Sequence, residues 1–97
     1  MSKVATINLK GNEYATVPTR LKQFREDNPR SSVITKPAFQ ENGSVVFTAT
    51  IIKDKADEHS AEATGHSYGE INSEKAFEKL ETIATGRALA LLGYLNN

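Results

Sequence analysis

The chain has no cysteine among its 97 residues. That excludes disulfide staples and thiolate metal sites and leaves an intracellular setting open. Long apolar runs are missing too: no stretch approaches the roughly 18 residues that cross a bilayer, and the opening MSKVATINLKGNEY has no apolar segment of the secretory kind. A cytoplasmic location is the expectation. No glycine-rich loop of the GxxxxGK[ST] type is present, so no ATPase is visible, and no HExxH pair is present either. The two histidines, His59 and His66, stand seven apart without a cysteine partner and read as surface residues rather than metal ligands. Ser60 and Ser67 sit in no nucleophile elbow, and the acids of ADEHSAEA read as a solvated loop. The expectation is therefore a protein that is not an enzyme and takes no cofactor and no metal.

The length suits one small domain whose single core is marginal without partners. Residues 1–12 read as a flexible arm or a short strand, and 13–97 as the folded core. Net charge is zero, with 12 basic and 12 acidic residues, but the signs are segregated along the chain. Residues 1–36 hold Lys3, Lys10, Arg20, Lys22, Arg25, Arg30 and Lys36 against Glu13, Glu26 and Asp27. Such asymmetry suits a basic face that meets phosphates, because neutralising phosphates releases condensed counterions; a solvated surface with uneven charge is the plainer reading.

VPTRLKQFREDNP spaces Val17, Leu21 and Phe24 at i, i+4 and i+7, with Thr16 as N-cap and Pro18 in the first turn. This predicts a short amphipathic helix ending at Asn28, since Pro29 disfavours helical geometry in the residue before it. Arg20, Lys22 and Arg25 are expected on its polar side, with Arg30 following in the loop. Next, two strand-like runs meet at Asn42-Gly43, the pair suited to a two-residue type I′ turn. That turn would set Phe39 opposite Val46, Thr35 opposite Thr50 and Ile34 opposite Ile51. It would place Ile34, Ala38, Val45, Phe47, Ala49 and Ile51 on one face and Val33, Thr35, Pro37, Phe39, Val46, Thr48, Thr50 and Ile52 on the other. Pro37 lacks a ladder donor, which predicts an edge strand. A third strand, SAEATGHSYGEI, carries Ala61, Ala63, Gly65 and Ser67 on one all-small face that lets a helix lie close.

The last helix opens at Asn72 or Ser73, with Glu74 suited to the positive end of its dipole, and should run to about Leu92 with Gly93 near its end. Phe77, Leu80, Ala84 and Leu91 mark its apolar stripe. Gly86 and Arg87 stand in its middle, where glycine weakens a helix by about 1 kcal/mol relative to alanine. Gly86 reads as a point of close backbone approach, with the strand bearing Gly65 as its neighbour. For Arg87 three readings stand: a packed stem with its head in water, a bond to a buried acid or carbonyl, or contact with an anionic ligand.

The segment Glu81, Thr82, Ala84, Gly86, Arg87, Ala88, Leu89 and Ala90, preceded by ATGHSYGE and a helix-hairpin order, resembles the E-T-x-A-x-G-R-A-L-A segment of phage and bacterial single-strand annealing proteins of the essential recombination function type. These share their architecture with the eukaryotic strand-annealing recombination mediators. The likeness spans about Lys10 to Tyr94. It implies ATP-independent binding and annealing of single-stranded DNA in a bacterial or phage-infected cell, by a curved sheet and long helix that assemble into rings or filaments. Family members are usually longer, often with a separate carboxyl-terminal region, and a neutral net charge is unusual for a dedicated DNA binder.

The combined expectation is an α+β fold: a short N-terminal helix, a three-stranded antiparallel sheet and a long C-terminal helix packed on one sheet face. Arg20, Lys22, Arg25, Arg30 and Lys36 would take phosphates, and Phe39 or Tyr68 would stack bases, with Tyr14 and Phe47 as further aromatics. A sheet apolar on both faces predicts a homo-oligomer or a face covered by the N-terminal helix. The alternative is a phage-encoded regulator or inhibitor on the same scaffold, whose partner is a protein rather than DNA.

Overall fold

The computed structural model describes residues 7–9, 12–14 and 16–95, with side chains from 16 onward. Strands β1 (Ile7–Leu9) and β2 (Asn12–Tyr14) pair antiparallel as a separate small ribbon; β1 falls in residues 1–12, expected to be an arm or short strand, while β2 runs on past residue 12. The side chain of Tyr14 lies outside the described residues. Helix α1 (Val17–Asp27) follows, then β3 (Ser32–Phe39), β4 (Ser44–Ile52), β5 (Glu62–Glu70) and helix α2 (Glu74–Leu91). β3, β4 and β5 form one antiparallel sheet in that order, and α2 packs across β5 and β4. This is the expected α+β arrangement. No helix of the described residues is long and apolar enough to cross a membrane.

The helix ends follow from local chemistry. Thr16 Oγ1 accepts from the Thr19 N–H at the start of α1, and Asn28 closes it with both its backbone N–H and its side-chain amide on the Phe24 carbonyl. At α2 the Ser73 hydroxyl accepts from the Ala76 N–H. The far end is a Schellman turn: Gly93 at φ +94° donates to Ala90 O, and Tyr94 donates to Leu89 O. This turn folds the chain back so that Tyr94 packs edge-on against Phe24, with ring centroids 5.3 Å apart.

The hairpin corrects the expected register. Phe39 pairs with Val45, Thr35 with Ala49 and Ile34 with Thr50, one residue away from the two-residue-turn alignment. Gly43, at φ +83°, is the extra turn residue: Gly43 N donates to Gln40 O and Gln40 N to Ser44 O, giving a three-residue loop with a glycine bulge. The Asn42 carboxamide oxygen meanwhile accepts from Ser44, which fixes the turn from its other side. A shift of one residue inverts a strand. Val33, Thr35, Pro37 and Phe39 therefore share the helix-covered face with Val45, Phe47, Ala49 and Ile51, while Ile34, Lys36 and Ala38 lie on the opposite face with Val46, Thr48, Thr50 and Ile52. β3 is an edge strand, as Pro37 predicted, and its ring nitrogen points away from β4.

Phe24, Val45, Phe47, Ala49, Ile51, Ala84, Ala88 and Leu89 form the dry core, with Val17, Leu21, Val33, Phe77 and Leu80 packed around it. The small face of β5 does what its composition promised. A Cβ on Gly65 would fall on the Ala84 carbonyl and 2.5 Å from the Ala88 nitrogen, so the helix backbone rests directly on the strand. Ser67 donates its hydroxyl to the Leu80 carbonyl beside it. Leu91 departs from the expected stripe and is 70% exposed, because the buried run of α2 ends at Leu89. Among the described residues no element covers the other sheet face.

Candidate nucleic-acid interface

α1 turns its apolar stripe inward and its basic residues to two very different places. Lys22 and Arg25 are exposed on its outer side, as expected. Arg20 is not: it is 6% exposed, with Nη1 donating to Gly86 O at 3.3 Å and Tyr94 O at 2.9 Å. It sits at i+3 from Val17 and i−4 from Phe24, on the buried stripe, and burial holds its pKa below the ordinary guanidinium value. Its Nη1 is committed to the helix–helix contact, and the side chain leaves the proposed phosphate track. The spacing that identified the stripe already placed Arg20 on it.

The glycine expected to meet the β5 strand meets this arginine instead. A Cβ at Gly86 would lie 2.7 Å from Val17 Cγ2 and 3.0 Å from Arg20 Nη2. Gly86 makes room for α1, while Gly65 makes room for α2. Arg87 projects from the adjacent side of α2, exposed, and donates to the His66 carbonyl at 2.6 Å. Of its three readings the carbonyl bond holds, on an exposed edge rather than in a buried setting.

The remaining expected residues separate. Arg30 is in an ion pair with Asp54 at 2.6 Å, at the mouth of the 53–60 loop. Lys36 and Tyr68 lie on the open sheet face, Lys36 in a cross-strand row with Thr48 and His66, and Tyr68 next to Val46. Tyr68 is 63% exposed. Hydrogen bonding with Ser44 and Asn42 holds its phenol below the usual pKa. Phe39 lies on the opposite, helix-covered face, stacked on Phe77 at 6.2 Å, and Phe47 is buried against the same ring at 4.8 Å. The two stacking candidates thus occupy opposite faces and cannot serve one strand together.

What the fold does bring together is a groove of about 330 Å³ between α1, α2 and the β3 edge. Pro18, Leu21 and Val33 supply apolar surface, Thr82 and Thr85 supply hydroxyls, and Arg25 stands at its side. Thr35 donates to Glu81 across it at 2.6 Å. Lys75 and Lys79, exposed on α2, lie seven and three residues before Thr82 and so on the same side of the helix. These two lysines were not singled out in the sequence; their i, i+4 spacing and their phase with Thr82 are the signal that finds them. Among the described residues no group of three or more metal-ligating side chains gathers.

Residues 21–92 match a family model described as the Slr1353 N-terminal dsRNA-binding domain-like. The match spans α1 from its second turn through the end of α2, and the chain belongs to this family. No curated protein and no solved structure matches the chain. The family differs from the strand-annealing proteins that Glu81–Ala90 resembles; a nucleic-acid-binding type of fold is what the two likenesses share.

Proposed function

We propose that this protein binds double-stranded RNA along its helical layer, with Lys22 and Arg25 of α1 and Lys75 and Lys79 of α2 on the phosphates. The observation that carries this reading is that Arg25 lines a hydroxyl-bearing groove whose Thr82 shares a side of α2 with the exposed Lys75 and Lys79, and that neither these cations nor the exposed Lys22 pair with a described carboxylate. Duplex RNA suits such a surface because it is read through phosphates and 2′-hydroxyls by shape rather than through splayed bases. Single-strand binding relies on aromatic platforms, and the two exposed candidates, Phe39 and Tyr68, lie on opposite faces of the sheet. Family membership agrees with a nucleic-acid ligand.

A second reading keeps single-stranded DNA, and with it annealing and assembly into oligomers, on the open sheet face. It is favoured by the exposed Tyr68 ring lying two residues from His66, in the row beside Lys36. Fluorescence anisotropy with duplex RNA, duplex DNA and single-stranded DNA of one sequence, each at two salt concentrations, separates the two. Duplex RNA should bind most tightly and weaken with salt. Arg25→Ala and Lys79→Ala should each lower affinity and reduce the log-log salt slope by about 1, while Tyr68→Ala leaves both unchanged. Preference for single strands with loss of binding in Tyr68→Ala would overturn the duplex reading. No binding to any of the three at low salt would replace both with a protein partner.

A further inference from the structure

The arginine that leaves the phosphate track is only partly used by the helix–helix contact. Arg20 uses Nη1 on both carbonyls, while Nε is buried and has no hydrogen-bond partner among the described residues. Nη2 rests over Gly86, where it would lie 3.0 Å from an added Cβ. Nη2 is the guanidinium nitrogen left to donate to a phosphate or carboxylate. A carbonyl cannot neutralise the charge, and no described carboxylate pairs with Arg20. A buried cation left without a counter-ion is destabilising, which makes the missing partner a chemical question rather than a detail.

A pocket of about 320 Å³ opens at this residue. Arg20, Gly86 and Arg87 line it together with apolar walls that include Ile83, Ala90 and Leu95. Among the described residues two that bear guanidinium groups and no acid line it, and its apolar side matches the organic part of a phosphorylated molecule. We propose that this pocket is a phosphate-binding site in which Arg20 Nη2 holds a phosphoryl group and Arg87 supplies a second positive charge. The site lies apart from the groove beside Arg25 and does not depend on the duplex RNA reading. It also gives the Gly86-Arg87 pair a joint purpose: the glycine lets the Arg20 guanidinium lie against α2, and the arginine beside it raises the local positive potential.

The test follows the side-chain Nε–H resonance of Arg20 in nitrogen-15-labelled protein, titrated with inorganic phosphate at constant ionic strength set by sodium chloride. The resonance should move saturably, and thermal melting should shift upward with phosphate. Ala90→Glu places an acid in the pocket wall without touching the bond from Arg20 to Tyr94, and should weaken phosphate binding by about tenfold or more. Arg87→Gln, on an exposed position, should weaken it by a smaller factor and serves as the second variant if Ala90→Glu does not fold. Duplex RNA carrying a 5′-phosphate, its 5′-hydroxyl counterpart and free phosphate distinguish the sources. Movement with the first alone assigns a strand end, movement with both duplexes assigns the backbone, and movement with free phosphate alone assigns the ion; each supports the site. An Arg20 resonance unmoved by all three, or moved equally by chloride, overturns it.

Discussion

The helix-covered face of the β3–β4–β5 sheet and its open face are built from the same three strands, yet they obey different rules. On the covered face Val45, Phe47, Ala49 and Ile51 are closed off from water, and Ala63, Gly65 and Ser67 are small because a helix backbone lies on them. On the open face threonines alternate with Lys36, His66 and Tyr68, and each side chain keeps solvent. Substitution on the first face is therefore felt as packing, and on the second only as surface chemistry. The same contrast separates the two arginines of interest. Arg20 is held in the helix–helix contact and gives up water, whereas Arg87 keeps water and caps a single carbonyl at the strand edge.

The strongest way to break the comparison is at Gly65. Gly65→Val adds atoms where backbone already sits, so α2 must lift; the loss should reach about 3 kcal/mol or more and expose the core, read by urea denaturation and dye binding. Thr64→Val, its neighbour on the open face, should stay within about 0.5 kcal/mol. Phe47→Ala comes next, at about 3 to 5 kcal/mol, because the ring is buried against Phe77 and leaves a cavity. Gly86→Ala tests the second close approach. It should cost about 1 to 3 kcal/mol, less than Gly65→Val, because its neighbours are side-chain atoms of Val17 and Arg20 that can move.

The smallest effect expected is pH-dependent. The Asp27 carboxylate accepts from the Tyr94 hydroxyl at 2.7 Å and the Gln23 amide at 2.8 Å, and these bonds hold its pKa below the ordinary value. A depressed folded-state pKa contributes stability that is present above the unfolded carboxylate pKa and fades as pH falls through the folded one. Burial, and then the bond to Asp27, raises the Tyr94 phenol, so its contribution has the opposite sign: present below the unfolded phenol pKa and lost as alkaline pH passes the folded one. Tyr94→Phe should flatten the acid limb of a melting-temperature profile by slightly lowering the neutral-pH plateau while leaving the acid end nearly unchanged. An unchanged acid limb would show that the Schellman turn, rather than this bond, holds the C-terminal segment.

Much of the architecture was legible because it rests on local rules. Thr16, Pro18 and Pro29 bounded α1, Ser73 opened α2, Pro37 marked an edge, and the small residues of β5 announced the helix that lies on them. The register was misread at Asn42-Gly43 because two turns share that dipeptide. The choice between them rests on whether Gly43 joins the pair as a bulge. At the candidate site, Lys22 and Arg25 were placed by helical phase, whereas Phe39 and Tyr68 could not be sorted to their faces until the register was known. Arg20 was misplaced because its charge was weighed above its position on the stripe.

The sequence by itself determined the order and type of the elements from α1 onward, since capping, turn chemistry and hydrophobic period act over a few residues and need no partner. Tertiary structure decided the register, the side of each aromatic and the fate of each arginine, because these depend on atoms brought together from distant positions. Arg20 and Gly86 stand 66 residues apart in the chain and 3.3 Å apart in the fold, measured from Nη1 to the carbonyl oxygen. Only the packing of α1 on α2 could turn a basic helix residue into a buried one, since the guanidinium's carbonyl acceptors do not exist for it until the two helices meet.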